Sequence, residues 1–196
     1  MAVRWAGYLL LWVGFGATHS LLAAAPGRAW LARLAGAGDR LAYNLIALIQ
    51  LALVLGYAWA WLPAQPFARP EPLRVAQLVA LAAGALVLAG GGRGYDLARF
   101  VGLAQLRAGP EATAGAEPLV TGGWNARVRH PLYLGLLLLV WGAAWDLRAV
   151  ATAGCVTAYV LIGIRFEERK LLRLYGPTYA AYRARVPMLL PWRGWR

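Results

Sequence analysis

Long apolar runs without charge constrain this chain more than any other feature. Residues 5–27 carry no formal charge with His19 neutral, and comparable runs follow at 41–62, 73–90 (with Arg74 at its start), 130–145 and 149–164. A helix needs about 20 residues to cross the hydrocarbon of a bilayer. Backbone in lipid must satisfy its own hydrogen bonds, which leaves helices and closed barrels. The runs are too long and too continuous for barrel strands. They predict an all-α polytopic membrane protein with about five transmembrane helices, at 5–25, 41–62, 73–90, 130–146 and 149–165, forming one domain over 1–196. The rival for the first run is a signal peptide, with Arg4, an apolar stretch and Ala23-Ala24-Ala25 as cleavage site. Its length and the polar His19-Ser20 pair favour a retained span.

Composition agrees. Hydrophobic residues make up 61% and charged residues 14% of the chain, against roughly 25% charged in soluble domains. The net charge of +12 could suggest nucleic acid, but no basic helix is interleaved with exposed aromatics. In a membrane protein arginines orient helices and meet anionic lipid. With five spans, 16 of the 20 basic residues fall on one side. By the positive-inside rule that side, with the C-terminus, is cytosolic; the Arg- and Ala-rich bias suggests a GC-rich bacterial genome, and the expected location is a bacterial inner membrane. The single cysteine, Cys155, excludes an intrachain disulfide framework and a cysteine zinc cluster. No metal site is expected.

Connections follow from breakers. Residues 26–40 read as a short basic link. Pro63, Pro66, Pro70 and Pro72 separate the second and third spans, and Gly90-Gly91-Gly92 ends the third. Residues 93–106 read as an interfacial helix and 108–118 as a loop. The last two runs, 16 residues each by count, form a hairpin. The tail from Arg165 is basic and amphipathic, with a kink at Gly176-Pro177, and lies at the interface.

The hairpin carries charge at its open end. Arg129-His130-Pro131 stands where one run begins, and Arg165, Glu167 and Glu168 stand where the next ends. Topology adds His19, Tyr43 and Asn44 at the same membrane face. Ionisable groups at membrane depth are costly and often mark function. Each has a plainer reading. His130 suits a helix start before Pro131. His19 suits an interhelical hydrogen bond. Tyr43 and Asn44 suit belt and cap, and Glu167-Glu168 suit pairing with Arg165, Arg169 or Lys170. Asp96 and Arg99 suit a solvated helix face, while Tyr175, Tyr179 and Tyr182 suit packing anchors.

An ordered set of motifs adds a resemblance. The carrying residues are Leu119-Val120, Gly123, Arg129-His130-Pro131-x-Tyr133-x-Gly135, Glu167-Glu168-x-x-Leu171, Tyr175-Gly176-x-x-Tyr179-x-x-Tyr182 and Val186-Pro187-x-x-x-Pro191. They resemble the membrane methyltransferase superfamily of isoprenylcysteine carboxyl and phospholipid methyltransferases. In the other half, Thr18-His19-Ser20, Tyr43-Asn44-Leu45 and Tyr95-Asp96…Phe100-x-Gly102-Leu103 resemble the bacterial methanethiol S-methyltransferase and NnrU-like branch.

The resemblance implies an S-adenosylmethionine site in segments 119–133 and 165–191. Leu119, Val120, Trp124, Arg129, His130, Tyr133, Glu167 and Glu168 would bind the cofactor. Arg165, His19 and Asn44 would act on the acceptor, a small thiol or a lipophilic molecule. The residues suit this: a carboxylate can take an ammonium or ribose hydroxyl, and Arg binds a carboxylate with a fork of donors. Alternative acceptors are an isoprenylcysteine carboxylate or a phospholipid amine. A non-enzymatic alternative is an NnrU-like or haem-binding protein, with His19 and His130 as axial ligands. Two departures stand out. Asn125 holds a place where relatives often have an aromatic. Ala143-Ala144-Trp145-Asp146 replaces the polar, Thr-Pro-containing turn of the methanethiol branch.

Overall fold

A computed structural model describes residues 1–108 and 118–191. Most of the loop expected at 108–118 lies outside them. Among the described residues eight α-helices run in order: α1 (Ala2–Ala23), α2 (Ala25–Ala35), α3 (Asp39–Trp61), α4 (Glu71–Gly92), α5 (Leu97–Val101), α6 (Leu103–Ala108), α7 (Pro131–Gly142) and α8 (Leu147–Arg185). The described residues contain no strand, only an isolated bridge between Pro66 and Asp146. Four helical stretches, Ala2–Ala23, Ala25–Trp61, Glu71–Gly92 and Leu147–Arg185, are long and apolar enough to cross a membrane, and Pro131–Gly142 is apolar but shorter. The all-helical, multi-pass expectation holds.

The chain divides into two compact units, Met1–Ala64 with Asp96–Ala116, and Gln65–Tyr95 with Glu117–Arg196. In the first, α1 packs on α3 and α2. The basic link expected at 26–40 is largely helical: Pro26 sits in the first turn of α2, where its missing N–H costs nothing. The chain bends between α1 and α2 at Ala24, which is extended (φ −69°, ψ 158°). The interfacial helix expected at 93–106 is instead two short helices. Gly102 at φ 98° separates α5 from α6, in the left-handed region that other residues avoid. Asp96 caps α5, its Oδ1 accepting from Arg99 N at 3.0 Å.

In the second unit α4 and α7 are the most closely associated helices. Small residues let their backbones meet: a Cβ on Gly84 would lie 2.9 Å from Gly135 O, and one on Gly142 would lie 2.9 Å from Gln77 O. The fourth span is shorter than expected. At 12 residues, α7 covers about 18 Å. Its far end is closed by long-range hydrogen bonds rather than by more helix: buried Gln77 donates Nε2–H to Ala144 O (2.9 Å), and the Leu147 backbone N–H donates to Gln65 O (3.0 Å). The fifth span is longer than expected. α8 begins with Asp146 as cap, accepting from Ala149 N at 2.7 Å, and runs past its apolar part, which ends at Ile164, into the basic tail.

The kink expected at Gly176-Pro177 is present. Gly176 has φ 52° and ψ −128°, a conformation open in practice only to glycine. The helix reverses there. Residues 168 and 183 would stand about 22 Å apart along a straight helix. One guanidinium, that of Arg129, touches both Glu168 Oε1 (2.6 Å) and Arg183 O (3.2 Å). Residues 177–185 therefore fold back beside residues 165–175.

Candidate active site

The fold-back makes a cup within the second unit. One wall is α8 at Glu167 and Glu168, the other is the returning segment with Tyr179, Tyr182 and Arg183. The base is the turn and helix start at 123–133. Two backbone bonds fasten the returning chain to that base: Arg129 N–H to Pro187 O (2.9 Å) and His130 N–H to Met188 O (3.2 Å).

Glu168 is the centre of the cup. Its Oε1 accepts from Arg129 Nε at 2.7 Å and Nη2 at 2.6 Å, and lies 3.3 Å from His130 Nε2. Its Oε2 faces Arg183 Nε at 3.5 Å. The Arg129 and Glu168 side chains are only 9% and 10% exposed, so the pair is largely shielded from water. Glu168 lies beyond the apolar part of α8. Burial alone raises its carboxyl, but the hydrogen bond and charge of Arg129, then those of His130, hold it below the ordinary carboxylate value. Glu168 thus pairs across the cup and not with Arg165, Arg169 or Lys170.

Arg129 has a second task. Its Nη1 donates to the carbonyls of Arg183 and Val186, capping the end of α8 where cations are favoured. His130 starts α7 ahead of Pro131, but its side chain makes no cap bond. The buried ring turns to the two carboxylates instead, with Nδ1 3.9 Å from Glu167 Oε2. Tyr133 lies next to it, ring centroids 5.7 Å apart. Glu167 is more open, its side chain 42% exposed.

Asn125 is the knot of the base. It is buried, and its amide donates to Arg129 O (3.3 Å) and Tyr95 Oη (3.5 Å). Its own carbonyl accepts from the Tyr182 hydroxyl at 2.6 Å. Trp124 packs on Gly90, where a Cβ would collide with its indole, and Arg127 lies over the ring at 5.2 Å. Leu119 is half-buried and Val120 exposed. Tyr179 is 1% exposed, and its hydroxyl has no hydrogen-bond partner among the described residues. Burial, then the Glu168 charge, push that hydroxyl up to about 12.

The structure therefore gathers Arg129, His130, Tyr133, Glu167 and Glu168 around one cup, while Trp124 sits in the turn at its base with its indole against Gly90. Arg165 sits on α8 one turn before Glu168, on an exposed face. His19 and Asn44 belong to the first unit. The His19 ring lies on Tyr43, with Nε2 2.5 Å from the hydroxyl, which is the interhelical bond expected of it. Beside it, Thr18 Oγ1 donates to Gln50 Oε1 at 2.9 Å. The Asn44 amide donates to Phe100 O and Val101 O, each at 3.1 Å, and so holds α5. Sequence reasoning missed Arg183 and the roles of Asn125, Tyr179 and Tyr182. The glycine-proline kink was the signal that could have found them, because it lets residues 15 apart on a helix meet.

Comparison with known proteins gives the family. The sequence model of the NnrU protein family matches residues 8–189. The chain belongs to that family. It is similar to methanethiol S-methyltransferase 1 of Bradyrhizobium diazoefficiens, 33% identical over 199 residues, covering 94% of this chain and 66% of that protein. Methanethiol S-methyltransferase 2 of the same bacterium is 33% identical, with coverages of 93% and 71%. The methanethiol S-methyltransferase of Mycobacterium tuberculosis is 30% identical, with coverages of 91% and 74%. The chain spans about two thirds of the first relative's length. No solved structure matches it.

Proposed function

We propose that this NnrU-family chain transfers a methyl group from S-adenosylmethionine to a small thiol such as methanethiol, at the cytosolic face of a bacterial inner membrane. The observation that carries the reading is the likeness, over more than nine tenths of the chain, to proteins named methanethiol S-methyltransferases. The cup supports it by its chemistry. S-adenosylmethionine presents a carboxylate, an ammonium, ribose hydroxyls and an aromatic base. Glu167 offers an accessible carboxylate for the ammonium or ribose. His130 and Tyr133 offer rings and polar edges, Trp124 a stacking face, and Leu119 and Val120 backbone groups.

When bound, the cofactor supplies an electrophilic sulfonium methyl group. The chain's own residues then have to orient it, exclude water and leave the acceptor deprotonated, since a thiolate and not a thiol is the nucleophile. Arg129 acts as a positioning residue: its donors are engaged by Glu168, Arg183 and Val186, so it fixes the walls of the cup. Arg165, exposed on α8 one turn before Glu168, supplies a cation for the acceptor. Within the first unit, His19 is bonded to Tyr43. Asn44 keeps α5 in place.

The haem alternative fits less well, because His130 faces Glu167 with one ring nitrogen and Glu168 with the other. Purified protein in detergent or nanodiscs, given labelled S-adenosylmethionine and a thiol panel, is expected to yield dimethyl sulfide from methanethiol, read by headspace gas chromatography. Failure to bind S-adenosylhomocysteine together with failure to methylate any thiol would refute the proposal. A methylated lipid in the mass spectrum would move the acceptor to a phospholipid or prenylated carboxylate.

A further inference from the structure

The cup contains one polar group that the fold does not use. Tyr179 is buried to 1% exposure, its ring 5.9 Å from that of Tyr182. The two hydroxyls differ. Tyr182 donates to Asn125 O at 2.6 Å, whereas the Tyr179 hydroxyl has no partner among the described residues. A buried hydroxyl left unpaired costs about 1–3 kcal/mol. Phenylalanine would fill the same space without that cost. Native structures leave few such groups, and each calls for a reason.

The surroundings narrow the reason. Tyr179 lies on the returning segment beside Tyr182, whose hydroxyl is bonded to Asn125 in the base of the cup, and the charges of Glu168, Arg129 and Glu167 act on its hydroxyl. Glu168 already accepts from Arg129 and His130. Arg129 already donates at Nε, Nη1 and Nη2. The cation that the sequence offers for a cofactor carboxylate is thus taken up by the protein itself. Arg183 adds a more open cation, 3.5 Å from Glu168 Oε2, and the Tyr179 O–H is the buried donor without a partner among the described residues, suited to an anionic oxygen.

We propose that the Tyr179 hydroxyl is a ligand contact, donating its hydrogen bond to the carboxylate of the methyl donor's amino-acid portion. This rests on the methyltransferase reading. It gives Tyr179 a role in binding where the sequence suggested only packing, and it explains why the fold-back at Gly176 presents a tyrosine to the cup.

Tyr179→Phe tests it, because that change keeps the ring and removes only the orphan oxygen. Binding is measured by calorimetry on the full chain in nanodiscs, with S-adenosylhomocysteine and with 5′-methylthioadenosine, which lacks the amino-acid portion. The variant is expected to bind S-adenosylhomocysteine roughly 5–50-fold more weakly, to bind 5′-methylthioadenosine as the parent does, and to melt at the same or a higher temperature without ligand. A purely structural tyrosine would not split these readouts. Unchanged affinity for S-adenosylhomocysteine overturns the assignment, and so does an equal loss for both ligands. If the parent protein binds neither ligand, the methyltransferase reading itself fails, and the Tyr179 assignment with it.

Discussion

Glu168→Gln is the sharpest test of the charge arrangement. Gln keeps the size and one acceptor but removes the charge and turns an N–H₂ toward guanidinium groups. In the parent, Arg129 meets Glu168 Oε1 through Nε at 2.7 Å and Nη2 at 2.6 Å, with side chains 9% and 10% exposed. Breaking a buried pair by removing one partner costs about 3–5 kcal/mol, because the other charge stays buried and uncompensated. For a chain of this size that corresponds to a drop in Tm of roughly 6–20 °C. Arg129→Gln should cost more, since it also removes the donors to Arg183 O and Val186 O. The double variant should cost less than the sum of the two, with a coupling of about 0.5–3 kcal/mol. Tryptophan fluorescence melts in one detergent give all four corners of the cycle. Single changes that each move Tm by under about 2 °C, or a coupling under about 0.5 kcal/mol, would refute the reasoning.

Three further outcomes follow from particular residues. The Glu168 carboxyl is held below its ordinary value, so its stabilising contribution is present above the ordinary carboxylate range and is lost as pH falls through the lowered value. Melts taken from neutral pH downward should show an acid-side loss of Tm that Glu168→Gln lacks, and parallel curves would contradict it. Gly176→Ala should cost about 1–3 kcal/mol through its φ of 52° alone, since a Cβ there meets nothing within 4 Å. Gly163→Ala, in equally open space at ordinary helical φ, should leave Tm unchanged or raise it, and equal losses for both would remove the fold-back argument. Gly84→Val drives a side chain into the Gly135 carbonyl, 2.9 Å from the first added carbon. Overpacking of about 1–3 kcal/mol should appear as a lower Tm and early aggregation on size-exclusion chromatography, whereas Gly56→Val, which meets nothing, should not aggregate.

By itself the sequence determined the class of fold and named several of the residues that meet in the cup. Uncharged apolar runs admit only helices in lipid, so the helical multi-pass architecture was legible from hydropathy. Helix punctuation was legible only in part: the kink at Gly176-Pro177 was read from its residues, whereas Pro26 opening α2, Gly102 parting α5 from α6 and Asp146 capping α8 came from the structure. Arg129, His130 and Glu168 could be paired from sequence because a hairpin brings its two ends together. The tertiary structure decided what pattern does not encode. α7 stops at Gly142 because Gln77 satisfies the carbonyl beyond it, a contact 67 residues away. Asn125 looks like a departure in the sequence and is the hydrogen-bonded centre of the base. Above all, Gly176 permits a reversal without specifying its direction. Only packing of the returning segment, with Arg129 bonded across it and Tyr182 bonded to Asn125, places Arg183 against Glu168 and buries Tyr179 beside Tyr182. Local preference fixes which backbone angles are allowed, and long-range contacts choose among them.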